Sequence, residues 1–124
     1  ILIGLVGSEM CIRDRCIDYI YDHLHTRITV ELLAKRVNLT PSYLSRLFKK
    51  ETGDNIGHYI KMLKLDTARN MLIYSDYSPA QIAQTLAFPS QSYFTEQFRL
   101  HTGLTPANYR NINLRQTPFH KNNT

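Results

Sequence analysis

Apolar residues recur at three- and four-residue spacing along most of the chain, and no stretch alternates with period two as a half-buried strand would. Cys16 to Leu24 predicts a helix with Ile17, Ile20, Tyr21 and Leu24 inward. Thr29 is placed to cap a second helix, whose apolar side holds Leu33 and Val37. Thr40 caps a third, with Pro41 at its first position and Leu44, Leu47 and Phe48 on one face; Gly53 ends it. Asn55 caps a long helix to about Ser75, along which Ile56, Tyr59, Ile60, Leu63, Ala68, Met71 and Leu72 keep helical spacing. Ser78-Pro79-Ala80-Gln81 is a capping box before Ile82, Leu86 and Phe88. Ser90 opens a sixth helix with Phe94 and Phe98 inward and Gly103 as its stop. Thr105-Pro106 starts a short last helix through Tyr109, and beyond Asn111 the chain turns polar and is expected to fray. The pattern predicts an all-α fold of about seven helices.

The chain also resembles itself. Leu33, Ala34, Val37 and Leu39 match Ile82, Ala83, Leu86 and Phe88 at an offset of 49. Ser42, Tyr43, Leu44, Phe48, Lys49, Thr52 and Gly53 match Ser92, Tyr93, Phe94, Phe98, Arg99, Thr102 and Gly103 at an offset of 50. One extra residue therefore sits at the second turn, around Pro89. A duplicated supersecondary unit accounts for seven like residues falling at one offset within twelve positions.

Each unit is helix, tight turn, helix, which is a helix-turn-helix. Such a unit needs a small residue where its helices cross, and Ala34 and Ala83 supply it. Its second helix needs an apolar inner face and a polar outer face short enough to approach base edges in a major groove. Leu44 and Phe48 are inward in the first unit, with Pro41, Ser42, Ser45 and Arg46 outward; Phe94 and Phe98 are inward in the second, with Gln91, Ser92, Thr95 and Glu96 outward.

Charge agrees with an anionic partner. The 124 residues carry fifteen Lys and Arg against ten Asp and Glu, a net charge of +5 and a pI near 9.4. Apolar residues make up 43% and charged residues 20%, a globular composition. No apolar run approaches the roughly 18–20 residues of a membrane span, and two cysteines do not make a disulfide scaffold. Residues 1–15 read as adaptor-derived or disordered sequence outside the domain, with no signal-peptide pattern. Cys11, Cys16, His23 and His25 have C-x4-C-x6-H-x-H spacing, which fits neither the short Cys gaps nor the wider His spacing of structural zinc sites. No nucleophile elbow, phosphate loop or paired carboxylates in a defined cleft occurs, so neither enzyme chemistry nor a cofactor is expected. His58 and His101 are expected at the surface or half-buried, and Tyr43 and Tyr93 as packing residues with one wet edge.

These residues together resemble the C-terminal DNA-binding domain of AraC-type (AraC/XylS) transcription regulators, over about residues 17–110. The most specific part is SQSYFTEQFRLHTGLTPANYR at 90–110, and YLSRLFKKETG at 43–53 is its counterpart in the first unit. The resemblance implies a homeodomain-like architecture: a first helix-turn-helix subdomain over 16–54, a linker helix over 55–75, a second subdomain over 76–111 and a polar tail over 112–124. About 18 residues of linker give a strut of about 27 Å, compatible with two major-groove segments about 34 Å apart. The implied base-reading positions are Ser42, Ser45, Arg46, Gln91, Ser92, Thr95 and Glu96. Arg46 suits guanine O6 and N7, and Gln91 suits adenine N6 and N7. Thr40, Lys49, Lys50, Lys64, Arg69, Ser90 and Arg99 are the implied phosphate contacts, which position without specifying. The implied partners are double-stranded DNA and RNA polymerase, in a bacterial, cytoplasmic, nucleoid-associated regulator whose effector and dimerisation domain is absent from this chain.

Two departures stand out. Such regulators often carry glycine at the turn, whereas Asn38 and Ala87 stand here; the extra residue near Pro89 is expected to adjust the second turn. Glu96 stands where a basic residue is common, so the second unit is expected to read DNA weakly or to accept from cytosine N4. Those departures motivate an alternative, a helical protein-interaction module of the same fold.

Overall fold

The computed structural model describes residues 12–116. Among them are seven helices and no strand: α1 (Ile12–Asp22), α2 (Val30–Arg36), α3 (Pro41–Thr52), α4 (Ile56–Tyr74), α5 (Pro79–Thr85), α6 (Gln91–Thr102) and α7 (Pro106–Gln116). The chain divides into two compact units between Leu63 and Lys64, within the sequence of α4. The all-α class holds.

Local side-chain chemistry sets the helix ends. Thr29 Oγ1 accepts from Leu32 N at 3.1 Å, Thr40 Oγ1 from Tyr43 N at 3.2 Å, and Ser90 Oγ from Tyr93 N at 3.0 Å. Ser78 and Gln81 complete the capping box in both directions, at 3.1 and 2.8 Å. Each such cap satisfies amides that a helix start leaves unpaired, at about 1 kcal/mol. Gly53 and Gly103 end α3 and α6 in the left-handed region, with φ of 83° and 86°.

In unit 1, α1 and α2 pack on α3 around Cys16, Ile20, Leu24, Leu33, Ala34, Val37, Leu44 and Phe48. Ile56 and Ile60 of α4 are buried too, and Tyr59 meets Phe48 edge-on at 5.3 Å. In unit 2, α5 and α7 pack on α6 around Ile82, Ala83, Leu86, Phe94 and Phe98, with Leu65, Ala68 and Leu72 of α4 also buried. Tyr109 meets Phe98 edge-on at 5.3 Å, as Tyr59 meets Phe48.

The duplication therefore runs further than the matching letters. Thr52 Oγ1 donates to Phe48 O and receives Asp54 N; fifty residues on, Thr102 Oγ1 donates to Phe98 O and receives Leu104 N. Asn55 caps α4 through His58 N at 2.8 Å, and Thr105 caps α7 through Asn108 N at 3.2 Å. Every position of α3 has the same burial class as its counterpart in α6.

Four expectations change. Helix α1 starts at Ile12, four residues before Cys16. Its buried stripe is Cys16 and Ile20, spaced one turn apart; Ile17 and Tyr21, each about 100° round from these, are half-buried and 57% exposed. Helix α7 continues past Tyr109 to Gln116, because Arg110 anchors it and Asn113 Nδ2 bonds back to Tyr109 O at 2.8 Å. The extra residue at Pro89 does not adjust the second turn: Ala87 holds φ 56°, matching 59° at Asn38. Of the polar tail expected over 112–124, residues 112–116 are helical; residues 117–124 and 1–11, with Cys11, lie outside the described residues.

Candidate nucleic-acid interface

The turn between the two helices of each unit follows one hydrogen-bond plan. Leu39 N donates to Ala34 O at 2.9 Å, and Phe88 N donates to Ala83 O at 2.9 Å. Asn38 N donates to Lys35 O and Ala87 N to Gln84 O. This is the six-to-one and five-to-two pairing of a helix ending in a left-handed residue. It turns the chain sharply enough for Thr40 or Ser90 to open the next helix within a few residues.

With Leu44 and Phe48 buried, helical geometry places Ser42, Ser45, Arg46 and Lys49 (i, i+3, i+4, i+7) on the opposite side. Ser42, Arg46, Lys49 and Lys50 are exposed and Ser45 half-buried. In unit 2, Gln91, Ser92, Glu96 and Arg99 are exposed and Thr95 half-buried. Gln91, Ser92, Thr95, Glu96 and Arg99 line one shallow open depression on α6. Thr40 and Ser90 are exposed at the starts of these helices, their oxygens engaged as caps.

The two faces differ in charge. Helix α3 carries Arg46, Lys49 and Lys50 against Glu51, whereas α6 carries Arg99 against Glu96. The Arg46 guanidinium lies 5.9 Å from the centre of the Tyr43 ring. Tyr43 and Tyr93 are 48% and 39% exposed, more open than packing residues with one wet edge.

Two expected phosphate contacts are not on either face. Lys64 is 6% exposed, and its ammonium donates to the carbonyl of Leu86, the C-cap of α5. A cation there meets the negative end of a helix dipole. Burial lowers its pKa to about 8. An ammonium so enclosed cannot reach a phosphate, so Lys64 is withdrawn from the interface. Arg69 is half-buried; its Nε donates to Tyr109 Oη at 3.2 Å and its Nη1 to Asp66 Oδ1 at 3.1 Å. The bond to Tyr109 raises its already high pKa further, so it stays a cation held against α7.

Sequence reasoning also missed Arg110. Its guanidinium donates to Leu72 O at 2.9 Å, Ser75 O at 3.1 Å and Tyr77 O, closing the end of α4. The Tyr-Arg pair ending the quoted motif was the available signal; in this fold both residues are structural. His58 pairs with Asp54 and His101 with Asp66, both near the surface. Among the described residues no cluster of His, Cys, Asp or Glu has the grouping of a metal site, and no helix is long and apolar enough to cross a membrane.

A helix-turn-helix domain family model matches residues 33–112. An uncharacterised helix-turn-helix transcriptional regulator of Bacillus subtilis, YobQ, is 38% identical over 77% of this chain and 39% of its own length. The multiple antibiotic resistance protein MarA of Escherichia coli is 31% identical over 79% of this chain and 77% of its own length. The first relatives are longer; the chain spans 39%, 32% and 13% of three of them. Among solved structures, the DNA-binding domain of AdpA in complex with a target DNA aligns over 86% of this chain and 96% of that one, at TM-score 0.82 and 27% identity. An AraC-type regulator from Chromobacterium violaceum aligns over 85% of this chain and 93% of that one, at TM-score 0.75 and 26% identity. The duplicated fold, the polar outer faces of α3 and α6 and these likenesses agree: the chain belongs to the AraC-type helix-turn-helix family, a family of DNA-binding domains of transcription regulators rather than of enzymes.

Proposed function

We propose that α3 and α6 act as paired recognition helices, entering successive major-groove segments of one operator. The observation that carries this is the position-by-position agreement of burial along the two helices, which presents a polar face in each. The AdpA domain, whose structure holds a target DNA, supports the same use. Ser42, Ser45 and Arg46 read bases in the first segment, and Gln91, Ser92, Thr95 and Glu96 in the second. Arg46 takes guanine and Gln91 adenine through bidentate bonds, while Glu96 accepts from cytosine N4. Thr40, Lys49, Lys50, Ser90 and Arg99 hold phosphates. Arg69 adds at most the part of its guanidinium that Tyr109 and Asp66 leave to solvent.

Regulation of transcription by this chain in the bacterial cytoplasm belongs to the same proposal. So does an effector-sensing segment elsewhere in the protein, which the length of YobQ and its fellow relatives supports. RNA polymerase as a partner rests on the family alone. The test is selection of the chain on random duplexes of about 30 base pairs at physiological salt, with the bound DNA sequenced. Two short boxes about one helical turn apart are expected. One box overturns base reading by the second unit, and no enrichment overturns the proposal.

A further inference from the structure

Tyr43 and Tyr93 occupy the same place in the two units. Each is the third residue of its helix, each gives its amide to the cap, and each ring stands 39–48% exposed outside the core. Their surroundings then part. In α3 the residue one turn on is Arg46, whose guanidinium sits 5.9 Å from the Tyr43 ring centre. In α6 the residue one turn on is Glu96, and a carboxylate gains nothing from the negative face of a ring. Tyr93 instead lies tilted at 42° against Phe88, 6.4 Å away. Phe88 stands where the first unit has Leu39, just before the extra Pro89. The duplicated tyrosine thus has a cation as neighbour only where the helix carries an arginine.

We propose that Tyr43 is a positioning residue for base reading: its ring holds the Arg46 guanidinium over the outer face of α3 before DNA arrives. This rests on the assignment of α3 as a recognition helix. A free arginine side chain has several flexible torsions, and ordering them on binding weakens the complex. A guanidinium held against a ring by its flat face keeps its N–H edges available, and those edges make the bidentate bonds to guanine. At an exposed site a cation–π contact changes an equilibrium by about two- to fivefold. Loss of the ring is therefore expected to cost that factor in discrimination at one base pair, leaving the others unchanged.

The selected duplex identifies the base pair whose preference Arg46→Ala abolishes, an effect of about 5- to 150-fold. Binding to that duplex and to its single-base mismatch is then measured for Tyr43→Phe, Tyr43→Trp and Tyr43→Leu, each also combined with Arg46→Ala. Phe and Trp are expected to keep the discrimination, since the ring does the work and Trp has the strongest quadrupole. Leu is expected to lose two- to fivefold at that pair alone, and nothing further when combined with Arg46→Ala. Unchanged discrimination in Tyr43→Leu overturns the inference. So does an equal loss in the Arg46→Ala background, which would mean that the ring touches DNA itself. A loss in Tyr43→Phe overturns it too, because the hydroxyl would then be the active group. Should Tyr43→Leu fail to fold, Tyr43→Met, which also lacks the ring, carries the same expectation and the same refutation. If Arg46→Ala alters no base preference, the assignment of α3 fails instead, and the two failures are told apart by that single variant.

Discussion

Ala87 holds φ 56° in a turn where only glycine is unstrained. For a residue with a Cβ the left-handed region costs about 1–2 kcal/mol. Ala87→Gly removes that cost. It also frees the unfolded chain, which opposes by about 0.4–1 kcal/mol, and deletes a half-buried methyl worth a few tenths. The net is a gain of about 0.5 kcal/mol. Gly103→Ala runs the same physics backwards: φ is 86°, no atom lies within 4 Å of the added Cβ, and strain alone predicts a loss of about 0.5–1 kcal/mol. Asn38→Gly, at φ 59°, is expected near zero, because asparagine tolerates the region. A urea titration followed by amide resonances of residues 79–102 reads unit 2 by itself. With a slope near 1 kcal/mol per molar, the Ala87 and Gly103 variants should separate by about 1 M in midpoint. A lower midpoint for Ala87→Gly than for the parent would refute the strain argument and mean that the methyl holds the turn.

Further outcomes follow from the same contacts. Lys64 has a folded pKa of about 8 against 10.5 unfolded, so between those values the unfolded state binds more protons and unit 2 gains stability as pH rises; the urea midpoint of Lys64→Met should lack this rise. Lys64→Met should also leave the salt dependence of DNA binding intact, whereas Lys49→Met should lower the slope by about one. Arg110→Met removes donors to three carbonyls and should cost about 2 kcal/mol or more in thermal or urea unfolding, with Arg110→Lys a partial rescue because an ammonium lacks the planar fork. Glu96→Arg should tighten binding to most duplexes; weaker binding to the selected operator alone would support Glu96 as a base reader.

The helix ends were legible because caps are local: Thr29, Thr40, Ser78, Ser90 and the two glycines act within three or four residues of themselves. The rotation of α3 and α6 was legible for a related reason. Two large apolar residues one turn apart fix which side faces inward, and the outer residues follow. Lys64 was not legible, although Ile60 and Ala68 flank it at four-residue spacing on a buried stripe. A lysine on such a stripe ordinarily points its charge to solvent. The carbonyl of Leu86, 22 residues away at the end of α5, gives it an inward partner. Arg110 escaped for the same reason, since its three acceptors lie 33–38 residues upstream. Tertiary partners of long polar side chains are what local patterning leaves out.

The two copies keep the apolar character of their inner side, with Leu44 against Phe94, and differ in charge on their outer side. The framework is retained: the Thr52 and Thr102 closures, the edge-on pairs of Phe48 with Tyr59 and Phe98 with Tyr109, and the left-handed turns. Residues that touch the core are constrained by close packing, so a change there costs stability whatever the ligand. The outer face has no such constraint. There Ser45 and Arg46 face Thr95 and Glu96 across the alignment, and Lys50 faces Leu100, which is 65% exposed. Selection for a partner common to both copies would hold the outer faces alike; readout of two different DNA segments would separate them. Because phosphate attraction scales with the cations presented, α3 supplies the larger share of salt-dependent affinity in the proposed complex. Helix α6, with one cation against one anion, contributes through what it accepts and what it repels. Charge removal on α3 should therefore weaken binding to every duplex, and charge reversal on α6 should change which duplex is preferred.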